Sequence, residues 1–266
     1  MNDLKTDMPD YQNFEVPTLL RLLKGIDRLP RGATGALVFA SKDAPQGTVL
    51  VEDNRVCWAA ASNMEHRLTD ILRHETDPPL PKAVFETVYE ECHRDRIPLG
   101  ETLVERGIVT PEGLSHALRR HTAEAICVLA SSKALSPVWV SNRQRPYDAQ
   151  HTFSTGELMS CVGSFGFDKE AKQAAQRLQQ VTPRASVGVA YLEKGHELPV
   201  AQIAVDGWEC AALVELGRWA RKALTAVETE TVVEDELRRA WRDGRLVYVS
   251  HSNRSLERRL QEPVLV

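Results

Sequence analysis

The chain has 266 residues, of which 42% are hydrophobic and 26% charged, with 15 Gly and 14 Pro. This is the composition of an ordinary soluble protein, and it excludes fibrous, collagen-like and disordered chains. Lys and Arg number 33 against 37 Asp and Glu, a formal charge of -4, so there is no general attraction for a polyphosphate backbone or an anionic bilayer, and nucleic acid is disfavoured as a partner.

The length suits two domains, each able to bury a core without disulfides. Cys57, Cys92, Cys127, Cys161 and Cys210 lie 34 to 49 residues apart with no C-x-x-C pair, which reads as reduced, buried thiols. The opening residues are acidic where a secretory signal needs a basic stretch and an apolar core. The longest apolar runs fall far short of the ~18–20 residues that cross a bilayer. The expected setting is cytoplasmic, without membrane insertion.

In chain order, Pro17 to Ile26 places Leu19, Leu20, Leu22, Leu23 and Ile26 at helical spacing. Three short runs, Ala36–Ala40, Thr48–Glu52 and Arg55–Ala59, with a tight turn at Asp53-Asn54, read as an antiparallel three-stranded meander. From Met64 the period is helical. The clearest helix begins at Thr110-Pro111, a capping residue followed by proline at the first helical position, and carries Leu114, Ala117, Leu118, Ala125 and Leu129. A strand at Ser136–Ser141 follows, then a polar, breaker-containing stretch from Asn142 to Ser154 and a short helix from Thr155 to Gly163, with Gly163 and Gly166 read as linker glycines.

The C-terminal part begins with a helix at Lys169–Val181. Two strands follow, the first carrying Val187, Val189 and Tyr191 on one face, with a Lys194-Gly195 turn between them. Trp208–Val227 is a long helix with an apolar stripe wider than one sheet face needs. Between Thr225 and Gly244 there is room for one long strand, or a strand and a turn, and a hairpin at Asp243-Gly244 leads into Arg245–Val249. The expected division is 1–150, a linker at 151–166, and 167–266.

Local motifs for chemistry are missing. The sequence has no Gly-Lys dipeptide, hence no G-x-x-x-x-G-K-[ST] loop, and no G-x-G-x-x-G or G-x-S-x-G. His116 and His121 are five apart, off a shared helix face, and Cys92 and His93 are adjacent, so neither pair makes a metal or thiolate–imidazole site. The acidic run Glu234-Asp235-Glu236 and the basic tail cluster Arg254, Arg258 and Arg259 read as solvated faces. No catalytic residue, metal or cofactor is expected.

Two resemblances are carried by particular residues. PLGETLVERGIVTPEGLSHALRRH, from Pro98, sets Leu99, Gly100, Gly107, Leu114 and Leu118 in the register of a helical unit that resembles the N-terminal regions of type II secretion and pilus ATPases. Paired copies there can bind cyclic di-GMP; this chain has one copy, with Pro98 and His121 where those units carry Arg and Gln, so that ligand is not carried over. The order of Leu19-Leu20-Arg21-Leu22-Leu23, Thr34-Gly35-Ala36-Leu37, Gly47–Val51, Arg55–Ala59 and then this unit resembles the bacterial PATAN domain over about residues 14–145. Residues 167–262 resemble a Roadblock-type domain, the dimeric α/β platform that binds small Ras-like GTPases, through the opening helix, the strand pair Ser186–Val205, the long helix, and a terminal strand, polar turn and Leu256-x-x-x-Leu260.

The fold class expected is therefore α+β: a small antiparallel meander with helices, then a Roadblock-like platform with a mixed or antiparallel sheet. The resemblances imply a non-enzymatic bacterial signalling adaptor that acts through protein contacts, with a small GTPase as candidate partner. The alternative is a small-ligand sensor for a cyclic dinucleotide or nucleotide, or an unrecognised enzyme. The surplus apolar face of the long helix predicts a homodimer seam formed by Trp208, Leu213, Leu216, Trp219 and Ala220.

Overall fold

The structure, a computed structural model, describes residues 16–40, 45–74, 79–131, 137–141, 151–182, 186–193, 196–204, 207–227 and 232–252. The expected turn at Lys194-Gly195, the stretch from Asn142 to Gln150 and the Leu256–Leu260 helix lie outside these residues. The fold is α+β, and every strand pairing in its two sheets is antiparallel. No helix among the described residues is long and apolar enough to cross a membrane.

Two compact units emerge, one spanning Pro30–Phe153 and the other combining Val16–Leu29 with the chain from Ser154 onward. The cut at 153/154 falls inside the breaker-rich region. The first helix, however, belongs with the C-terminal sheet rather than with the residues that follow it.

In the unit spanning Pro30–Phe153, β1 (Gly35–Ala40), β2 (Pro45–Glu52) and β3 (Arg55–Ala61) form the expected meander. Its β2–β3 turn has positive φ at both central residues, 48° at Asp53 and 63° at Asn54, the geometry that fits the twist of a two-residue hairpin. The strand expected near 136–141 is β4 (Val138–Ser141), which extends the meander by pairing with β1. Gly35 permits this pairing: a Cβ there would sit 2.4 Å from the Val140 carbonyl oxygen and 2.8 Å from the Trp139 ring. Four helices complete the unit, namely α2 (Leu68–His74), α3 (Lys82–Asp95), α4 (Leu99–Glu105) and α5 (Pro111–Ser131). Thr110 caps α5 as expected, its hydroxyl accepting the Gly113 amide at 3.0 Å.

The other unit contains α1 (Val16–Asp27), α6 (Thr155–Ser164), α7 (Asp168–Val181) and α8 (Cys210–Thr225) around a sheet of order β6-β5-β9-β8-β7. Its strands are β5 (Val187–Leu192), β6 (Pro199–Ala204), β7 (Val232–Glu234), β8 (Arg238–Asp243) and β9 (Leu246–His251). The interval from Thr225 to Gly244 thus holds two strands. The turn between them is closed by the Asp235 carboxylate, which accepts the amides of Leu237 at 3.0 Å and Arg238 at 2.8 Å.

Side chains alternate across the sheet. Ala190, Leu192 and Tyr248 face α7 with Ala171, Ala174 and Leu178, while the Tyr191 ring faces α8 at Gly217. The segment expected as a linker at 151–166 carries α6, which is buried along most of its length. A capping box starts it: Ser154 Oγ accepts the Glu157 amide at 3.1 Å, and the Glu157 carboxylate accepts the Ser154 amide at 2.6 Å. Gly163 is no linker glycine, because a Cβ there would lie 1.9 Å from the Pro199 carbonyl oxygen; Gly156, seven residues earlier, meets the Trp208 carbonyl at 2.0 Å in the same test. These two glycines let α6 lie directly on the neighbouring backbone.

Candidate functional site

The residues nominated as a dimer seam divide into two sets. Leu213 and Ala220 are fully buried in the core, and the Leu213 carbonyl accepts the Tyr191 hydroxyl, so these two are corrected from seam to core. Their side of α8 has neighbours, since α1 packs against both α8 and α6. The surplus apolar width of α8 is thus partly absorbed by a helix from the start of the chain.

Trp208, Leu216 and Trp219 instead line one groove of about 820 Å³ between α8 and the β7–β8 turn. Ala212, Leu216, Trp219 and Lys222 recur at intervals of three and four, which puts them on one helical face, and Trp208 joins them from just before the helix. Leu216 forms the floor, only 4% exposed. The opposite wall is Asp235, Glu236, Leu237, Arg238 and His251, and Leu237 stands 37% exposed.

Aromatic and ionic contacts tie the two walls together. The Arg238 guanidinium lies 4.3 Å from the centroid of the Trp219 ring and is fixed there by Asp235, with Nη2 to Oδ2 at 2.6 Å and Nε to Oδ2 at 2.8 Å. Burial alone would raise the Asp235 carboxyl, but the Arg238 hydrogen bond and the Leu237 and Arg238 amides hold it below the ordinary range. His251 meets the Trp208 ring edge-on at 5.0 Å. Burial, and then the charge of Arg238, push its imidazole below the usual histidine value. Along the exposed side of α8, Glu215 and Arg218 pair at 2.8 Å, and Lys222 lies one turn further on. The groove has an apolar floor and rims of both signs.

The apolar positions of the helical unit lie in a core. Leu103, Val109 and Leu114 are buried in one cluster with Phe85, Val88 and Cys92, and Leu99, Ile108 and Leu118 pack at its edge. Gly100 leaves space for Leu114, whose methyl carbons would be 3.0 and 3.2 Å from a Cβ there. Gly107 has φ of +66° and follows the last turn of α4; its amide reaches the Val104 carbonyl at 2.9 Å and the Ile108 amide reaches that of Leu103 at 2.9 Å, the paired bonds of a Schellman end.

His121, which stands where the ATPase units carry Gln, stacks on Trp58 with ring centroids 4.5 Å apart. It is 6% exposed, and burial pushes its imidazole down to about 4. One turn away, the buried Glu124 carboxylate is met by Arg120 Nε at 3.2 Å and His66 Nδ1 at 3.5 Å. Sequence spacing missed this group because its members come from β3, α5 and the segment before α2.

Burial pushes the Cys57 and Cys210 thiols up to about 12, which keeps both protonated at neutral pH. Among the described residues no three His, Cys, Asp or Glu side chains gather as metal ligands. The chain matches no family model, and comparison with curated proteins and with solved structures returned no match.

Proposed function

We propose that this chain is a non-enzymatic signalling adaptor that works through protein contacts, with the groove on α8 as its contact surface and a second copy of the chain as the first occupant. The observation that carries the reading is the groove itself: Trp208, Leu216, Trp219 and Leu237 present apolar and aromatic surface in one concavity, the composition that anchors protein interfaces. The charges along α8 suit an isologous pair. Glu215 and Lys222 lie two turns apart, so two antiparallel α8 helices bring each Glu215 opposite the partner's lysine.

The resemblances to PATAN and Roadblock domains supply the setting, a bacterial signalling route in which the paired platform receives a small Ras-like GTPase. The α7-β5-β6-α8 order followed by three strands supports the Roadblock reading.

Sedimentation at tens of micromolar tests the pairing. Wild type sediments as a dimer; Trp219→Glu, at a half-buried position, gives a folded monomer. Glu215→Lys and Lys222→Glu each weaken association, and the double variant restores it. A wild-type monomer ends the dimer reading, and turnover or tight binding of a nucleotide by the pure protein ends the adaptor reading in favour of an enzyme or a ligand sensor.

A further inference from the structure

The outer strands of the two sheets are β3, β4, β6 and β7, and all but β4 are protected. Val56 of β3 exchanges backbone hydrogen bonds with Phe153. Against β6 lies α6, with Gly163 at the Pro199 carbonyl. β7 carries Glu234, paired with Arg239 at 3.8 Å. Cover and charge are ordinary means of keeping an outer strand from adding another. β4 has no charged residue, and among the described residues β1 alone pairs with it.

Both faces of β4 are apolar. Trp139 lies in register with Leu37, on the buried side of the sheet. Its ring folds back toward Gly35, which leaves the outer backbone edge clear. Val138 and Val140 stand on the other face beside Val38 and Ala36, and they are 62% and 48% exposed. Such an edge offers backbone hydrogen bonds together with apolar surface for the side chains of an added strand.

We propose that β4 pairs antiparallel with β4 of a second copy, about a two-fold axis at Trp139, joining two four-stranded sheets into one. The sequence selects this occupant. Val138-Trp139-Val140 reads the same in both directions, and an antiparallel pair centred on Trp139 sets each Val138 against the partner's Val140. No other two-fold register places both valines against valine. Area sets the strength of the contact. A four-residue strand is about 13 Å long and covers far less than the roughly 800 Å² per partner of a stable interface, so the pairing forms at hundreds of micromolar rather than tens. It uses none of the α8 groove and stands or falls independently of that reading. A chain that pairs through both surfaces links dimers into longer assemblies, each contact raising the effective concentration for the next.

Two measurements on the full chain test it. Trp219→Glu, which removes the α8 pairing, sediments as a monomer at tens of micromolar, and its average mass rises toward the dimer at hundreds. Val138→Lys/Val140→Lys in the same background, at two exposed positions, melts at the same temperature and stays monomeric. Separately, in otherwise native chains under mild oxidation, Val138→Cys mixed with Val140→Cys forms a linked pair about tenfold faster than either variant alone, because only the mixture sets two thiols directly opposite. A Trp219→Glu mass that never rises, a rise that the lysines leave intact, or a mixture that links no faster than its components overturns the proposal. A dimer at tens of micromolar that Trp219→Glu leaves intact counts against the α8 reading instead, and the cross-link then decides the β4 pairing by itself.

Discussion

The hydroxyl of Thr155 donates to a carboxylate oxygen of Asp27, 128 residues earlier in the chain, and accepts the amide of Cys210 at 3.0 Å. One side chain thereby joins the end of α1, the start of α6 and the start of α8. Glu209, at the N-cap of α8, makes no side-chain cap, so Asp27 and Thr155 serve that helix end from a distance. Thr155→Val removes both bonds and leaves a buried amide and a carboxylate oxygen unsatisfied. A loss of about 2–3 kcal/mol is expected from urea unfolding. Burial raises the Asp27 carboxyl above 3.8, against the lowering effect of Thr155. A carboxyl raised in the folded state binds its proton more readily there than in the unfolded chain, so this group adds stability as pH falls through its folded value toward 3.8. Asp27→Asn removes that rise, which a comparison of wild-type and variant melts across the acid range reads directly.

Gly163→Ala and Gly107→Ala separate two uses of glycine. The first forces a Cβ onto the Pro199 carbonyl and is expected to cost about 3 kcal/mol or more, because backbone on both sides must shift. The second has nothing within 4 Å of the new carbon and bears only the left-handed backbone penalty, about 1 kcal/mol. Chemical denaturation of the two variants gives the ranking, and an equal loss would refute the close-approach account of α6.

His121 predicts an acid sensitivity. Its imidazole is lowered from 6.5 to about 4, so the folded state resists the proton that the unfolded chain accepts. Its contribution is complete above 6.5 and is lost as pH falls from there toward 4. The amount is on the order of 3 kcal/mol. His121→Phe keeps a ring against Trp58 and should flatten stability across that window; a variant that tracks wild type from pH 7 to 4 contradicts the assignment.

Fragments should follow the spatial division. Residues 30–153 hold all the described residues of one unit and are expected to unfold cooperatively when expressed alone. Residues 151–266 lack α1, whose Leu19, Leu20, Leu23 and Ile26 are all buried. That fragment should therefore be molten or insoluble, and adding a peptide of residues 16–29 should recover its near-ultraviolet circular dichroism. A well-folded 151–266 fragment would show that α1 is dispensable.

Local chemistry was legible where one stretch of chain decides the outcome. Thr110-Pro111 announces α5, Asp53-Asn54 announces a hairpin, and the leucines from Leu19 to Leu23 announce a helix. The capping box at Ser154-Thr-Gly-Glu157 was equally available as an S-x-x-E signal. What the sequence could not display is partnership. The stripe on α1 says that it is buried, not that α8 and α6 bury it. The apolar positions of α8 cover more than one face, and nothing in the sequence says that the face with Leu213 meets the core while the face with Trp219 lines the groove. Gly156 and Gly163 look like linker residues until a carbonyl from another element is placed against them. β7 is only three residues long, too short for alternation to register.

The unit spanning Pro30–Phe153 interrupts the other as an insertion, and its two ends are fastened to the same turn. The Asn54 amide reaches the Ala33 carbonyl at 3.3 Å, and Val56 and Phe153 exchange two hydrogen bonds of 2.8 Å. During synthesis α1 leaves the ribosome well before the helices it must join, across a gap whose closure in a loose chain would cost about 4 kcal/mol of entropy. Once the insert has folded, Asn54 to Val56 hold its entry and exit side by side. The long gap then behaves as a short loop, and α1 is delivered to Thr155 by the completion of the other unit.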